Sequence, residues 1–264
     1  MEKPDWWTEQ NDFFGEFYMQ GDDSREGYLS AEARSLAERT KTEVDGVLTL
    51  LNLNSRPRLI LDLPCGYGRH SIALAKHGHL VVGSDINSIH LCRARAEAGK
   101  QGVAVDFRQE NMLEIDYEKK FDIVINMFYS FGFFETDEEN MEVLRRIYVA
   151  LQPGGQFLMH TDVNIPRIIA GKYKQDEIRT LSSGNRLRVI DYFNPETKRI
   201  EGVWIISNSA GKEVRKDYSV RVYEKDEFVQ MCLDVGFGRC ETYGGWKEEA
   251  YSENSEEVMF VATK

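Results

Sequence analysis

Residues 59 to 70 read Leu-Ile-Leu-Asp-Leu-Pro-Cys-Gly-Tyr-Gly-Arg-His, an apolar strand running into a glycine turn, and a helical pattern from Ser71 to His77 follows at once. Such a run belongs in an open α/β sheet, which holds its ligands in the crevice at the carboxyl ends of the strands. Gly66 and Gly68 let the backbone approach a ligand closely. A second apolar run, Leu80 to Gly83, ends on Asp85. An acid at the end of the second strand can accept both hydroxyls of a ribose. Asp is also a good helix cap, but Asn87 or Ser88 is available for that role in the next helix. Together these elements point to a cofactor that carries adenosine.

A dinucleotide fingerprint reads G-x-G-x-x-G, whereas Gly66-Tyr67-Gly68-Arg69-His70 leads to Ser71, so the third glycine is missing. Asp62 would repel a pyrophosphate and suits a cationic ligand such as S-adenosylmethionine, with its ammonium and sulfonium. At these residues the chain resembles the class I S-adenosylmethionine-dependent methyltransferases of small-molecule type, whose first motif is D-x-G-x-G-x-G. Asp62, Gly66 and Gly68 match it, and Pro64 stands where the first glycine is usual. Asp85-Ile86 resembles the second motif and Gln109-Glu110-Asn111-Met112 the third, with Asn111 where Asp is commoner. Phe121 to Asn126 resembles the fourth motif, and Leu151-Gln152-Pro153-Gly154-Gly155 the turn before the fifth strand. The likeness is close over residues 55 to 162 and looser over 225 to 264. It implies cofactor contacts from Tyr18, Asp62, Cys65, Gly66, Gly68, Asp85, Ile86, Asn111, Met112 and Asn126, with Asn111 and Met112 at the adenine. It also implies S-adenosylhomocysteine as product and no metal. Tyr18 has a second reading, as packing within an aromatic cap.

Arg69 opens the helix after the turn, where a positive charge opposes the helix dipole unless an anion is near. Two readings stand: it meets the cofactor's carboxylate, or it is solvated.

The chain has 264 residues and a formal net charge of −11. That excess of acid disfavours a nucleic-acid duplex or an anionic membrane as partner. Cys65, Cys92, Cys232 and Cys240 form no C-x-x-C pair, so neither a disulfide framework nor a zinc site is implied. The start, Met-Glu-Lys-Pro-Asp-Trp-Trp, lacks the features of a signal peptide. The expected location is the cytoplasm, as a monomer or a homodimer.

Periodicity predicts the organisation. Residues 1 to 30 carry Trp6, Trp7, Phe13, Phe14, Phe17, Tyr18 and Tyr28, too apolar for a disordered tail, and 31 to 52 has the spacing of a helix. These make an N-terminal helical cap over residues 1–54. Strand and helix signals then alternate: strands at 59–63, 80–84, 103–107, 121–127 and 155–161, helices at 69–77, 88–98 and 137–151. A helix at 225–235 and strands near 237–243 and 257–263 complete the expected fold. It is an α/β, Rossmann-like seven-stranded sheet with helices on both faces. The core covers 55–162 and 222–264, and the resemblance implies an antiparallel last strand. Between them, 163–221 reads as an inserted antiparallel β lobe of three strands, at 187–193, 199–208 and 213–223, which shapes the substrate pocket.

A base is needed only if the acceptor must lose a proton at or before attack. His160, at the carboxyl end of strand 155–161, is the candidate, with pocket shaping as its other reading. Tyr129, in the aromatic run 126–134, is a second candidate for touching the acceptor. Arg215 and Arg221 read as a solvated outer face, as does the acidic run Glu248 to Glu257. By analogy with amino-sugar enzymes the acceptor is expected to be a small amine. A peptide or protein N-terminus, a non-catalytic binding module and, least favoured, an NAD-linked oxidoreductase stay open as alternatives.

Overall fold

The computed structural model describes residues 5–22, 35–173 and 175–264; Tyr28 and the first residues of the helix expected at 31–52 lie outside them. The N-terminal segment carries α1 (Glu16–Asp22) and α2 (Leu36–Leu50). Ser35 and Glu38 start α2 with a reciprocal capping box. The core then alternates β1 (Leu59–Asp62), α3 (Arg69–Lys76), β2 (Leu80–Asp85), α4 (Ser88–Lys100), β3 (Asp106–Gln109), β4 (Phe121–Asn126), α5 (Asp137–Ala150) and β5 (Leu151–Thr161). A short α6 (Ile165–Ile169) precedes the strands β6 (Asp176–Thr180), β7 (Arg186–Asn194), β8 (Arg199–Ser207) and β9 (Glu213–Arg221). Helix α7 (Lys225–Val235), β10 (Arg239–Tyr243) and β11 (Val258–Thr263) close the chain.

Seven strands form one sheet in the order β10-β11-β5-β4-β1-β2-β3. The five from β5 to β3 are parallel, and β11 runs antiparallel to both of its neighbours, as the resemblance implied. Parallel strands covered on both faces read as continuous apolar runs, which is why Leu59-Ile60-Leu61 and Ile123-Val124-Ile125 were legible. Chain order reverses across β1, which pairs with β2 on one side and β4 on the other. The crevice at their carboxyl ends is the switch point where such sheets bind ligands.

The second sheet is an antiparallel meander, β6-β7-β8-β9, with one strand more than expected. Strand β6, Asp-Glu-Ile-Arg-Thr, has a single large apolar residue, Ile178, and that residue is 53 % exposed, so it left no alternating signal. The fifth core strand also starts early. It pairs Leu151 with Phe121, then bulges over Gln152 to Gly155 before pairing Gln156 with Ile123. The Pro-Gly-Gly turn is thus a bulge inside the strand's span.

The two parts of the N-terminal segment pack differently. Val44, Val47 and Leu48 of α2 join Ile60, Leu74, Val81 and Ile123 against the main sheet. Phe13 and Phe17 instead join Leu187, Val189, Trp204 and Ile206 on the small sheet. No helix among the described residues is long and apolar enough to cross a membrane.

The loop after β4 is joined to the small sheet at Gly132, whose carbonyl accepts from Arg221 N at 2.9 Å. Gly132 has φ +94°, and a Cβ there would lie 2.1 Å from the Arg221 carbonyl oxygen. Gly132→Ala should therefore destabilise the fold by about 2–4 kcal/mol, read from its denaturant midpoint. A midpoint equal to wild type would contradict this junction.

Candidate active site

The turn after β1 is shaped by Gly66 (φ +54°) and Gly68 (φ +81°). Gly68 starts α3, and a Cβ on it would come within 2.8 Å of Ala94 Cβ and 2.9 Å of Phe107 Cζ. Any other residue would push α3 and α4 apart. Gly66 N donates to Asp85 Oδ2 at 2.7 Å and Asn87 N donates to Asp85 Oδ1 at 2.8 Å. The helix-cap role falls to Asn87, whose Oδ1 accepts from Ile89 N and His90 N at 3.0 Å each. Asp85 is thereby free to face the crevice. Burial pushes its carboxyl up to about 6, against the pull of the backbone donors.

Asp62 is fully buried behind this turn. Ser71 Oγ donates to its Oδ2 at 2.5 Å, while Oδ1 has no hydrogen-bond partner. Burial pushes Asp62 up to about 7, with Asp85 adding to the rise and Ser71 and Arg69 opposing it.

A cleft of about 880 Å³ opens beside the turn. Among the residues expected at a cofactor, Tyr18, Cys65, Gly66, Arg69, Asp85, Ile86, Asn111 and Met112 line it. Asn111 is also fixed locally, its Oδ1 accepting from Leu113 N at 3.0 Å. Gly68 supports the turn from behind. Asn126 does not reach the cleft wall: it is fully buried, and its Nδ2 donates to Leu63 O at 2.9 Å and Ser130 O at 3.3 Å. It braces the strand ends that carry the wall.

Arg69 finds its anion within the protein. It pairs with Glu43, donates to Thr40 Oγ1 at 3.1 Å and lies 4.7 Å from the Phe128 ring centroid. This resolves the charge at the start of α3 without solvent. Glu43 also receives His70 Nε2 at 2.8 Å, and Arg39 pairs with Asp22, which in turn accepts from the Tyr67 hydroxyl. Asp22, Tyr67 and His70 line the cleft, and sequence reasoning missed all three. A signal existed: Arg39, Glu43 and Val47 recur every fourth residue, which places two charges in line with a core residue.

A larger chamber of about 1820 Å³ lies between the N-terminal segment, the loop after β4 and the small sheet. Phe14, Tyr18, Phe128, Ser130 and Phe133 line both cavities, so the two adjoin there. Of the aromatic run after β4, Phe128 and Phe133 line both cavities, whereas Phe131 turns into the core. Tyr129 lines the chamber, but its hydroxyl donates to Arg221 O.

His160 departs from its expected place at an open rim. It is fully buried, lines neither cavity, and its ring sits between Phe128 and Trp246, with centroids at 4.9 and 4.8 Å. Its Nδ1 accepts from Phe128 N at 3.3 Å and its Nε2 faces Glu257 Oε1 at 3.1 Å. The strand carries it under the loop rather than past it, so it orders Phe128 and meets no acceptor. Arg221 is likewise no solvated residue: it is buried and paired with Glu227 and Asp137. Glu257, read as part of a solvated run, bridges His160 and Trp246 Nε1.

Fold and cleft define a Rossmann-like domain with an open cleft at the switch point of its sheet. A family model described as a methyltransferase domain matches residues 60–155. A putative methyltransferase of Geobacillus sp. strain WCH70 is 32 % identical over 212 residues, 78 % of this chain and 84 % of that protein. Among solved structures, the CcbJ methyltransferase of Streptomyces caelestis aligns with TM-score 0.74 and 17 % identity, over 84 % of this chain and 89 % of that one. CalS10, an amino pentose methyltransferase of Micromonospora echinaspora solved with S-adenosylmethionine bound, aligns with TM-score 0.63 and 19 % identity, over 90 % of this chain and 98 % of that one. The chain belongs to the class I S-adenosylmethionine-dependent methyltransferases.

The cleft residues fit that cofactor. Asp85 lines the cleft with a carboxylate that could accept ribose hydroxyls, the glycine turn leaves room beside it, and Asp62, buried behind the turn and outside the lining, keeps an unpartnered Oδ1. Both carboxyls bind protons more tightly in the fold than when unfolded, so ionising them weakens the ligand-free protein as pH rises towards about 7. A cationic ligand with a ribose favours the ionised forms and should expel those protons. Calorimetry in buffers of different ionisation enthalpy should show proton release on S-adenosylmethionine binding at pH 6.5, with affinity rising from pH 5.5 to 7.5. Binding without proton exchange would contradict this electrostatic account.

Proposed function

We propose that this enzyme methylates a small-molecule amine held in the large chamber. The reading rests on the five residues that line both cavities, Phe14, Tyr18, Phe128, Ser130 and Phe133, which lets an acceptor in the chamber meet the cofactor's reactive end where the two cavities adjoin. Bound in the cleft, the cofactor supplies a methyl carbon already activated on a sulfonium. The protein's task is then to hold a nucleophile in line, since most of the rate comes from proximity and orientation.

Asp85 and the glycine turn would fix the ribose, Ile86, Asn111 and Met112 the adenine, and Tyr18 the amino-acid end. Phe128 and Phe133 exclude water from the passage, and the Tyr129 ring walls the acceptor. The choice of an amine is supported by the chamber's chemistry. Aromatic faces from Trp6, Phe13, Tyr18, Phe133 and Tyr218 surround Asp162 and Asp191, and cations favour both kinds of surface. Asp191 accepts from Tyr173 Oη at 2.9 Å and from the Tyr218 hydroxyl. The amino pentose acceptor named for CalS10 supports the same choice.

A cell extract supplied with methyl-labelled S-adenosylmethionine and the enzyme should yield one labelled small molecule, identified by mass, that carries the label on nitrogen. S-adenosylhomocysteine should appear in equal amount. Label on oxygen, on carbon or on a polypeptide would overturn the amine reading. Tight NADH binding without a response to S-adenosylmethionine would overturn the cleft assignment.

A further inference from the structure

We infer that Asp162 is the carboxylate that receives the acceptor's ammonium group, which must give up one proton before its nitrogen can attack the methyl carbon; the inference rests on the amine reading above and assigns the site within it. Asp162 follows directly on β5, where Val163 N turns back to donate to Thr161 Oγ1 at 2.9 Å and ends the strand. The same strand end is tied to the loop after β4, because Tyr129 N donates to His160 O at 2.8 Å and Phe128 N to the His160 ring. Asp162 is thus carried to the chamber on the strand that also sets Phe128 and Tyr129. The position foreseen for His160 is filled two residues further along.

Three observations set Asp162 apart from the other acids of the chamber. Asp191 is engaged by two tyrosine hydroxyls, Glu177 pairs with Arg179, and Glu256 pairs with Arg167. Asp162 lines the chamber, yet among the described residues its carboxylate has no side-chain hydrogen-bond partner and meets only its own backbone amide. The charges facing it are His160 on its own strand, Glu257 before β11, Arg179 on β6 and Asp191 on β7. The chamber's cations have other partners: Arg179 pairs with Glu177, Arg167 with Glu256, and Lys172 donates to Asn254 Oδ1. Burial holds its carboxyl above the usual carboxylate range. An incoming ammonium satisfies this group, and Phe133, Trp6 and Tyr218 line the same chamber with rings to which a cation is attracted. Trp6 and Phe133 pack edge to face at 4.8 Å and Phe14 stacks on Phe133 at 5.5 Å, so this aromatic surface is built before a ligand arrives.

The test compares a cation with its neutral shape-mate. Full-length enzyme saturated with S-adenosylhomocysteine is titrated in a calorimeter at pH 7 with 2-phenylethylammonium and with 2-phenylethanol. Wild type should prefer the cation by about tenfold or more, the range expected for one charge-assisted hydrogen bond. Asp162→Asn, which keeps the shape and removes the charge, should erase most of that preference while leaving S-adenosylhomocysteine affinity unchanged. Asp162→Ser serves as a second variant should the first fail to fold. A wild type that does not discriminate, or a preference that survives both Asp162 substitutions, would overturn the assignment. Failure of wild type to bind S-adenosylhomocysteine would instead count against the cleft, a separable result.

Discussion

One buried carboxylate holds together the parts that make the two cavities. Glu43, on the second helix, is 2 % exposed and meets Arg69 and His70 at the start of the helix after the glycine turn. Burial alone would raise its pKa, but Arg69 and His70 outweigh that and hold it below the usual value. Arg39 extends the chain of charges to Asp22, which Arg39 and Arg69 hold down to about 2 despite its burial. The N-terminal helix is thereby fastened to the glycine turn through Tyr67. Both guanidinium groups also approach Phe128, at 5.3 and 4.7 Å. Removing one partner of a buried pair leaves an uncompensated charge and costs about 3–5 kcal/mol, so the parts move as a unit or not at all.

The cofactor side works by the opposite arrangement. Around Glu43 every charge is matched, whereas burial pushes Asp62 up to about 7 and Asp85 up to about 6 against the donors that reach them. A site built this way is costly when empty and gains from a ligand that brings positive charge and hydroxyl donors.

Much of this was legible because it rests on local pattern. Continuous apolar runs marked the parallel strands, and the glycine turn followed by Asp85 marked the cleft. Asn87 was correctly available as the helix cap. What escaped depends on contacts between distant segments. Arg69 opposed a helix dipole in the sequence, but nothing local said that Glu43 would answer it from 26 residues away. His160 and Asp162 lie two apart at a strand end, and which of them reaches the chamber is decided by a loop that folds over the first. Strand β6 carried too little apolar surface to show alternation.

The central claim is that the cofactor's reactive end meets the acceptor where the two cavities adjoin. A crystal structure of the complex with S-adenosylhomocysteine tests it most directly. The account predicts the ribose hydroxyls on Asp85 and the thioether sulfur turned towards Phe14, Tyr18 and Phe133, facing the large chamber. A sulfur turned away from those residues, or a ligand bound outside the cleft, would contradict it.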